Sequence, residues 1–296
     1  MHTWRVSDFS PTQTIDAANE SGFKWISAFQ AANSLATIDS SSEFAITAPF
    51  FLDFENRDMI VADASVLGMA YDKLSYVYPK YDLPIMRYYH CDLMYRDEEA
   101  AEEAVRKLSD FKKENGYNFV GEDQMMKASA AAYNMGLSVE KTEENVLKFS
   151  SEGIAKDFEL YDGNYQECVG IKIEFSDSMD ISNAKVKANV WKYDEAKNAL
   201  YVGLNKEVLL DISGSDEDGE KIVSDKSHVI SVNIPAQIDV ENDKMTLKFE
   251  DDGMMQLSVL GNVEVLSDGW SAKEENGVTT LTKFGDVTDL EIKISE

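Results

Sequence analysis

Val169-Gly170-Ile171-Lys172-Ile173-Glu174-Phe175, Val186-Lys187-Ala188-Asn189-Val190-Trp191, Met245-Thr246-Leu247-Lys248-Phe249 and Leu290-Glu291-Ile292-Lys293-Ile294 share one habit: apolar side chains recur at every second position. Successive side chains of a strand point to opposite faces, so a period of two gives a strand with one apolar and one wet face. From Cys168 onward about ten such runs follow one another at roughly 8 to 12-residue spacing, the rhythm of an antiparallel sandwich. Asn205-Lys206, Asp218-Gly219, Asp252-Gly253, Asp268-Gly269 and Asn276-Gly277 separate them. Residues of these types tolerate the left-handed backbone of tight turns. The pattern predicts an antiparallel β-sandwich over residues 168–296.

Upstream the period changes. Pro11 suits a first helical turn, Ile15 and Ala18 recur at helical spacing, and Gly22 supplies a stop before the apolar run Phe23 to Phe29. Asp97 is placed to cap a helix whose Ala101, Ala104, Val105, Leu108 and Phe111 form one stripe. Gly116 ends that helix, and Tyr117 to Val120 reads as extended. Phe44 to Phe51 and Leu83 to Tyr89 are further predicted strands, and Ser65 to Tyr76 a predicted helix. Repeated helix-strand units imply a mostly parallel α/β sheet, and four or five parallel strands are too few to close a barrel. Residues 1–128 are therefore expected to form a partial (β/α) barrel-like domain. Residues 129–167, with Val139 to Phe149 as a short helix, are expected to be a helical connector. The expected fold class is α/β plus all-β.

The chain has 296 residues, 44% of them apolar, enough for a sizeable core. Against 28 basic side chains stand 55 acidic ones, for a formal charge of −27. The three segments carry −9, −5 and −13, so none hides a cationic patch, and a polyanion such as nucleic acid is repelled. No run approaches the roughly 18 to 20 apolar residues of a membrane span. Met1 to Ser10 contains no apolar core of the signal-peptide kind. Cys91 and Cys168 are too few for a disulfide framework and lack Cys-x-x-Cys spacing.

Three histidines restrict the chemistry further. His2 lies at the terminus, and His228 sits on a predicted strand without a partner at metal spacing. His90 ends the apolar run Leu83 to Tyr89 and is followed by Asp92, the place where parallel α/β folds expose side chains to a ligand. His90 and Asp92 are accordingly the candidate catalytic residues, and a partly buried, structurally bonded His90 is the alternative. The loop Asp211 to Glu220 offers oxygens at alternating positions, as calcium loops do. It lacks their glycine at the sixth place and carries Ile222 at the twelfth. It reads as a solvated turn, with calcium as the less favoured ligand and no other cofactor expected.

Residues 9–26 (FSPTQTIDAANESGFKWI) and 83–126 (LPIMRYYHCDLMYRDEEAAEEAVRKLSDFKKENGYNFVGEDQMM) resemble parts of polysaccharide deacetylases. The first resembles the loop, helix and glycine-aromatic stop that lead into a strand. The second resembles the closing segment, in which a strand ends in histidine. The resemblance covers roughly the first 128 residues and implies a proton-donor role for His90. It also implies a metal motif lying before residue 1, since the first 128 residues hold no Asp-Asp pair, no His-x-x-x-His is present, and Ser10 replaces the arginine before Pro11. The expected protein is a deacetylase-like, carbohydrate-associated protein of the cell surface, catalytically silent as this chain alone. Its expected partners are a carbohydrate or cell-envelope glycan and a second chain completing the α/β domain. A noncatalytic envelope or adhesion protein is the rival reading, and an ordinary cytoplasmic enzyme a third.

Charge of one sign over every segment makes self-repulsion a destabilising term, screened over a Debye length of about 10 Å at 0.1 M salt. The melting temperature is expected to rise between low salt and about 0.5 M sodium chloride. A thermal scan showing a fall would remove repulsion as a significant term.

Overall fold

The computed structural model describes residues 3–5, 17, 20–22, 25–29, 50–54, 57–66, 79, 82, 87–88, 97–117, 119–121, 125, 136–151, 170–204, 207–224, 226–234, 236–249, 252–286 and 288–294. The chain divides into two compact units, Met1–Ala130 and Ala131–Glu296. In the first, strands β1 (Thr3–Arg5), β2 (Trp25–Phe29), β3 (Phe50–Phe54), β4 (Arg57–Val66) and β5 (Arg87–Tyr88) form one open sheet. The order is β1-β2-β4-β3, with β5 also paired to β4. The long strand β4 is the hub: Ile60 to Ala64 pair in parallel with Trp25 to Phe29. On β4, Arg57 to Val61 pair antiparallel with β3, and Ser65 and Val66 pair in parallel with β5. Gly22 turns into β2 with φ +83°, a conformation glycine adopts without penalty.

Helix α1 (Glu98–Asn115) is written locally at both ends. The Asp97 carboxylate accepts the Ala100 N–H at 3.0 Å, and Gly116 closes the helix at φ +72°. Glu98 and Glu99 sit at its positive end and Lys112 and Lys113 at its negative end. Lys107 bridges Glu103 one turn away at 2.9 Å.

The second unit holds β6 (Leu137–Glu143), β7 (Val146–Ser151), β8 (Gly170–Glu174), β9 (Lys185–Lys187), β10 (Trp191–Asp194), β11 (Ala199–Gly203), β12 (Glu207–Asp211) and β13 (Glu220–Lys221). It continues with β14 (His228–Val232), β15 (Ala236–Glu241), β16 (Lys244–Phe249), β17 (Gly253–Leu260), β18 (Val263–Val265), β19 (Ser271–Glu275), β20 (Val278–Gly285) and β21 (Asp289–Ile294). These build four antiparallel sheets: β13-β9-β12-β7-β6, β10-β11-β8, β14-β17-β20-β19 and β15-β16-β21-β18. The sheets are arranged like the blades of a four-bladed propeller, but the chain weaves between two of them before starting the next two. Their apolar faces accordingly gather into two clusters. One holds Val186, Trp191, Leu200, Val208 and Leu210. The other holds Val229, Leu247, Leu257, Leu281 and Leu290. Each such side chain, fully buried, contributes about 1.5–3 kcal/mol.

The expected fold class is overturned. Among the described residues the chain is mostly β, with the open mixed sheet in the first unit and four small antiparallel sheets in the second, in place of a barrel-like domain followed by one sandwich. Val139 to Phe149, expected to be helical, is the hairpin β6-β7, docked through β7 on β12 from Glu207↔Ser150 to Asp211↔Val146. The glutamates and lysines of this stretch favour helix weakly, by tenths of a kcal/mol per residue, and strand pairing overrides them. Tyr117, Phe119 and Val120 form no strand, and Ser65 and Val66 end β4 where a helix was expected to begin. The alternation downstream reads correctly for β16 and β21, with Met245, Leu247, Phe249, Leu290 and Ile292 all buried, whereas the run Val186 to Trp191 is split between the end of β9 and the start of β10.

The turn after β12 depends on one glycine. Gly214 has φ +73°, and a Cβ there would lie 2.2 Å from the Asn183 carbonyl oxygen. Gly214→Ala is expected to destabilise the protein by more than about 1 kcal/mol, because both the backbone conformation and the close approach oppose it. Denaturant melts of the two proteins measure the difference, and equal midpoints would show that the loop shifts without cost.

Candidate functional site

Val190 and Trp191 are consecutive and both buried, which breaks the alternation of the segment they belong to. Facing opposite ways, Val190 enters the cluster around Leu247 and Trp191 the cluster around Leu210. Against Trp191 lies the imidazole of His228, the first residue of β14. The rings are stacked with centroids 3.7 Å apart and an interplanar angle of 7°. His228 Nδ1 lies 2.8 Å from the Lys226 carbonyl oxygen. A carbonyl only accepts, so Nδ1 carries the proton. Burial pushes the His228 pKa down, and it prevails over three opposing influences: the Lys226 carbonyl, the Glu220 charge and the Trp191 backbone. His228 is therefore a neutral structural ring whose Nδ1–H is already committed.

Beside this pair opens a cleft of about 760 Å³, within the usual range of ligand sites. One wall carries Lys187 on β9, Asp218 and Glu220 around the start of β13, and Lys226 before β14. The other carries Asn242 to Lys244, the β15-β16 turn, which Asn242 closes with φ +56°. Val240 and Ile294 supply accessible apolar surface, backed by the buried Val229 and Met245. Lys187 Nζ lies 3.5 Å from the Asp218 carboxylate, and Lys226 Nζ lies 3.4 Å from that of Glu220. The second wall is tied more tightly, with Lys293 Nζ 2.8 Å from Asp243 and Lys244 Nζ 2.9 Å from Glu291. The Lys293 ammonium, first by its hydrogen bond and then by its charge, holds the Asp243 carboxyl below its ordinary range.

The candidate residues His90 and Asp92 lie outside the described residues, as do Cys91 and Cys168. In the acidic loop, Asp211 is only 1% exposed and points inward. Its carboxylate accepts from Ser213 N–H (2.8 Å), Ser213 Oγ (2.6 Å), Ser215 Oγ (3.0 Å) and Asp216 N–H (2.7 Å). Burial alone would raise its pKa, but the bonds from Ser213, Asp216 and Ser215 outweigh it and hold the group ionised far below the usual carboxylate range. The loop thus spends its first carboxylate on its own backbone. Among the described residues, no three His, Cys, Asp or Glu side chains cluster as a metal site, and no helix is long and apolar enough to cross a membrane. No family model matches the sequence, and no curated protein resembles it significantly.

Sequence reasoning missed the cleft because its walls come from segments 16 to 57 residues apart, Lys226 to Asn242 at the least and Lys187 to Lys244 at the most. Each is an ordinary charged turn or strand end. The one local signal was the pair of consecutive large apolar residues, Val190 and Trp191, at the end of an alternating run.

A histidine with a lowered folded pKa binds its proton less readily than the unfolded chain does. Unfolding therefore takes up protons between the folded pKa and the ordinary 6.5, and stability falls as pH drops through that window. The slope cannot exceed about 1.4 kcal/mol per pH unit from this one group. Denaturant melts from pH 7 to pH 5 should show the fall in the native protein and lose that part of it in His228→Phe, which keeps a flat ring against Trp191. An identical pH profile in the two proteins would refute the assignment.

Proposed function

We propose that the chain is a noncatalytic, carbohydrate-associated protein of the cell surface, an envelope or adhesion protein whose β-rich unit makes the contacts. The observation that carries this reading is the cleft beside Trp191 and His228, which offers hydrogen-bonding groups of both charges around apolar surface. The neutral imidazole in it is fixed to a backbone carbonyl and to an indole face. The resemblance of residues 83–126 to the closing segment of polysaccharide deacetylases adds support for a glycan as the partner. On that resemblance His90 keeps the family's proton-donor position.

The full chain is expected to cosediment with insoluble cell-wall glycan. It should release no acetate from acetylated chitooligosaccharides in the presence of zinc, cobalt or nickel ions. Failure to cosediment would remove the binding reading. Acetate release abolished by His90→Ala would make the chain an enzyme.

A further inference from the structure

Among the described ion pairs, the two on the first wall of the cleft are the longest. Lys187–Asp218 and Lys226–Glu220 stand at 3.5 and 3.4 Å, whereas Lys148–Glu207, Lys172–Glu174, Lys244–Glu291, Lys273–Glu275 and Lys293–Asp243 lie between 2.6 and 3.0 Å. Both are hydrogen bonds at the long end of the range, beyond the 2.7–2.9 Å of a short charge-assisted one. Each presents a donor and an acceptor side by side, at the separation that lets a hydroxyl donate to the carboxylate while accepting from the ammonium. Two such pairs line the cleft together with the Asn242 turn.

The charges of the lining cancel, since Lys187, Lys226 and Lys244 are matched by Asp218, Glu220 and Asp243. Within a chain of net charge −27, the lining itself therefore presents no surplus charge of either sign. An anionic ligand would meet long-range repulsion and no surplus of lysine, and a cation would meet no surplus of carboxylate. An uncharged ligand rich in hydroxyls meets neither cost. Val240 and Ile294 provide apolar area for the carbon–hydrogen faces that such a molecule presents edge-on to its hydroxyls. The Trp191 ring, stacked on His228, anchors this side of the cleft to the apolar cluster around Leu210, so little is lost in ordering it on binding.

We propose that this cleft is the glycan site of the protein and that it takes a neutral oligosaccharide, with Lys187–Asp218 and Lys226–Glu220 opening to bridge its hydroxyls. This rests on the carbohydrate-binding reading above and assigns it to a place and a ligand charge. Titration calorimetry of the full chain with chitotetraose, cellotetraose and a phosphorylated oligosaccharide tests it. Affinity is expected for at least one of the two neutral probes and to exceed that for the phosphorylated one. The double variant Glu220→Gln with Lys226→Ala should bind at least tenfold more weakly. Lys273→Ala, on exposed β19, should bind as the native chain does, with unchanged melting temperatures showing that all three proteins are folded. Equal affinity in the double variant would overturn the site while leaving the glycan reading in place. A native chain that binds cell-wall glycan but prefers the phosphorylated probe would overturn the ligand charge. Lack of affinity for both neutral probes, together with binding of an extended peptide lost in the double variant, would assign the cleft to a protein partner and overturn the proposal.

Discussion

Two neighbouring side chains that face opposite ways hold the second unit together. Val190 is packed among Val229, Leu247 and Leu290, and Trp191 among Val186, Leu200 and Leu210. A rotation of either apolar cluster about the peptide between them would pull one of these side chains from its hole, and interiors packed at crystal density do not absorb that. His228 completes the joint from the other side, because it starts the first strand of the second pair of sheets while its ring lies flat on the indole of the first. The Asn189 side chain, which donates to the Ile238 carbonyl at 3.4 Å, adds a polar tie to β15.

Hydrogen bonding settles what the charged loops do. Asp211 could pass for the first ligand of a calcium loop if only the spacing of acidic residues were counted. Buried at the end of β12, it instead gathers two backbone N–H groups and two hydroxyls, and so shapes the turn that carries Asp216 to Glu220 toward the cleft wall. A carboxylate saturated by its own loop is structural, however acidic its neighbours are. The stacked histidine follows the same logic, since its nearest polar partner is a main-chain carbonyl two residues back.

What could be read from the chain was what its residues decide locally. Asp97 and Gly116 bound α1 because capping is a short-range interaction, and Gly269 and Gly277 adopt φ of +80° and +76° at turns their dipeptides announce. The buried faces of β16 and β21 follow from alternation alone. Pairing does not, because it is decided between residues far apart: β16 lies against β21, more than forty residues on. Two apolar clusters and one apolar cluster demand the same alternation from each strand, so the pattern that suggested a single sandwich was equally compatible with four sheets in two groups. The β6-β7 hairpin hid for a further reason. Its first strand is exposed along nearly its whole length, so no apolar stripe marks it. The cleft was invisible because it is an arrangement of turns, none of which carries a motif.

Strand β21 lies between β16 and β18, in the interior of its sheet. Leu290 and Ile292 on it are completely buried, opposite Leu247 and Met245. During synthesis, β15 and β16 are therefore made long before the strand that covers their open side, and the apolar face of Met245, Leu247 and Phe249 waits for residues 289–294 to emerge. Until then the nascent chain carries an unpaired strand edge, the kind of surface that recruits a chaperone or pairs with another copy. Closing the sheet requires a long-range contact, a slow step in folding. The order in which the ribosome delivers these strands thus makes the last part of the unit a control point for when the whole becomes competent.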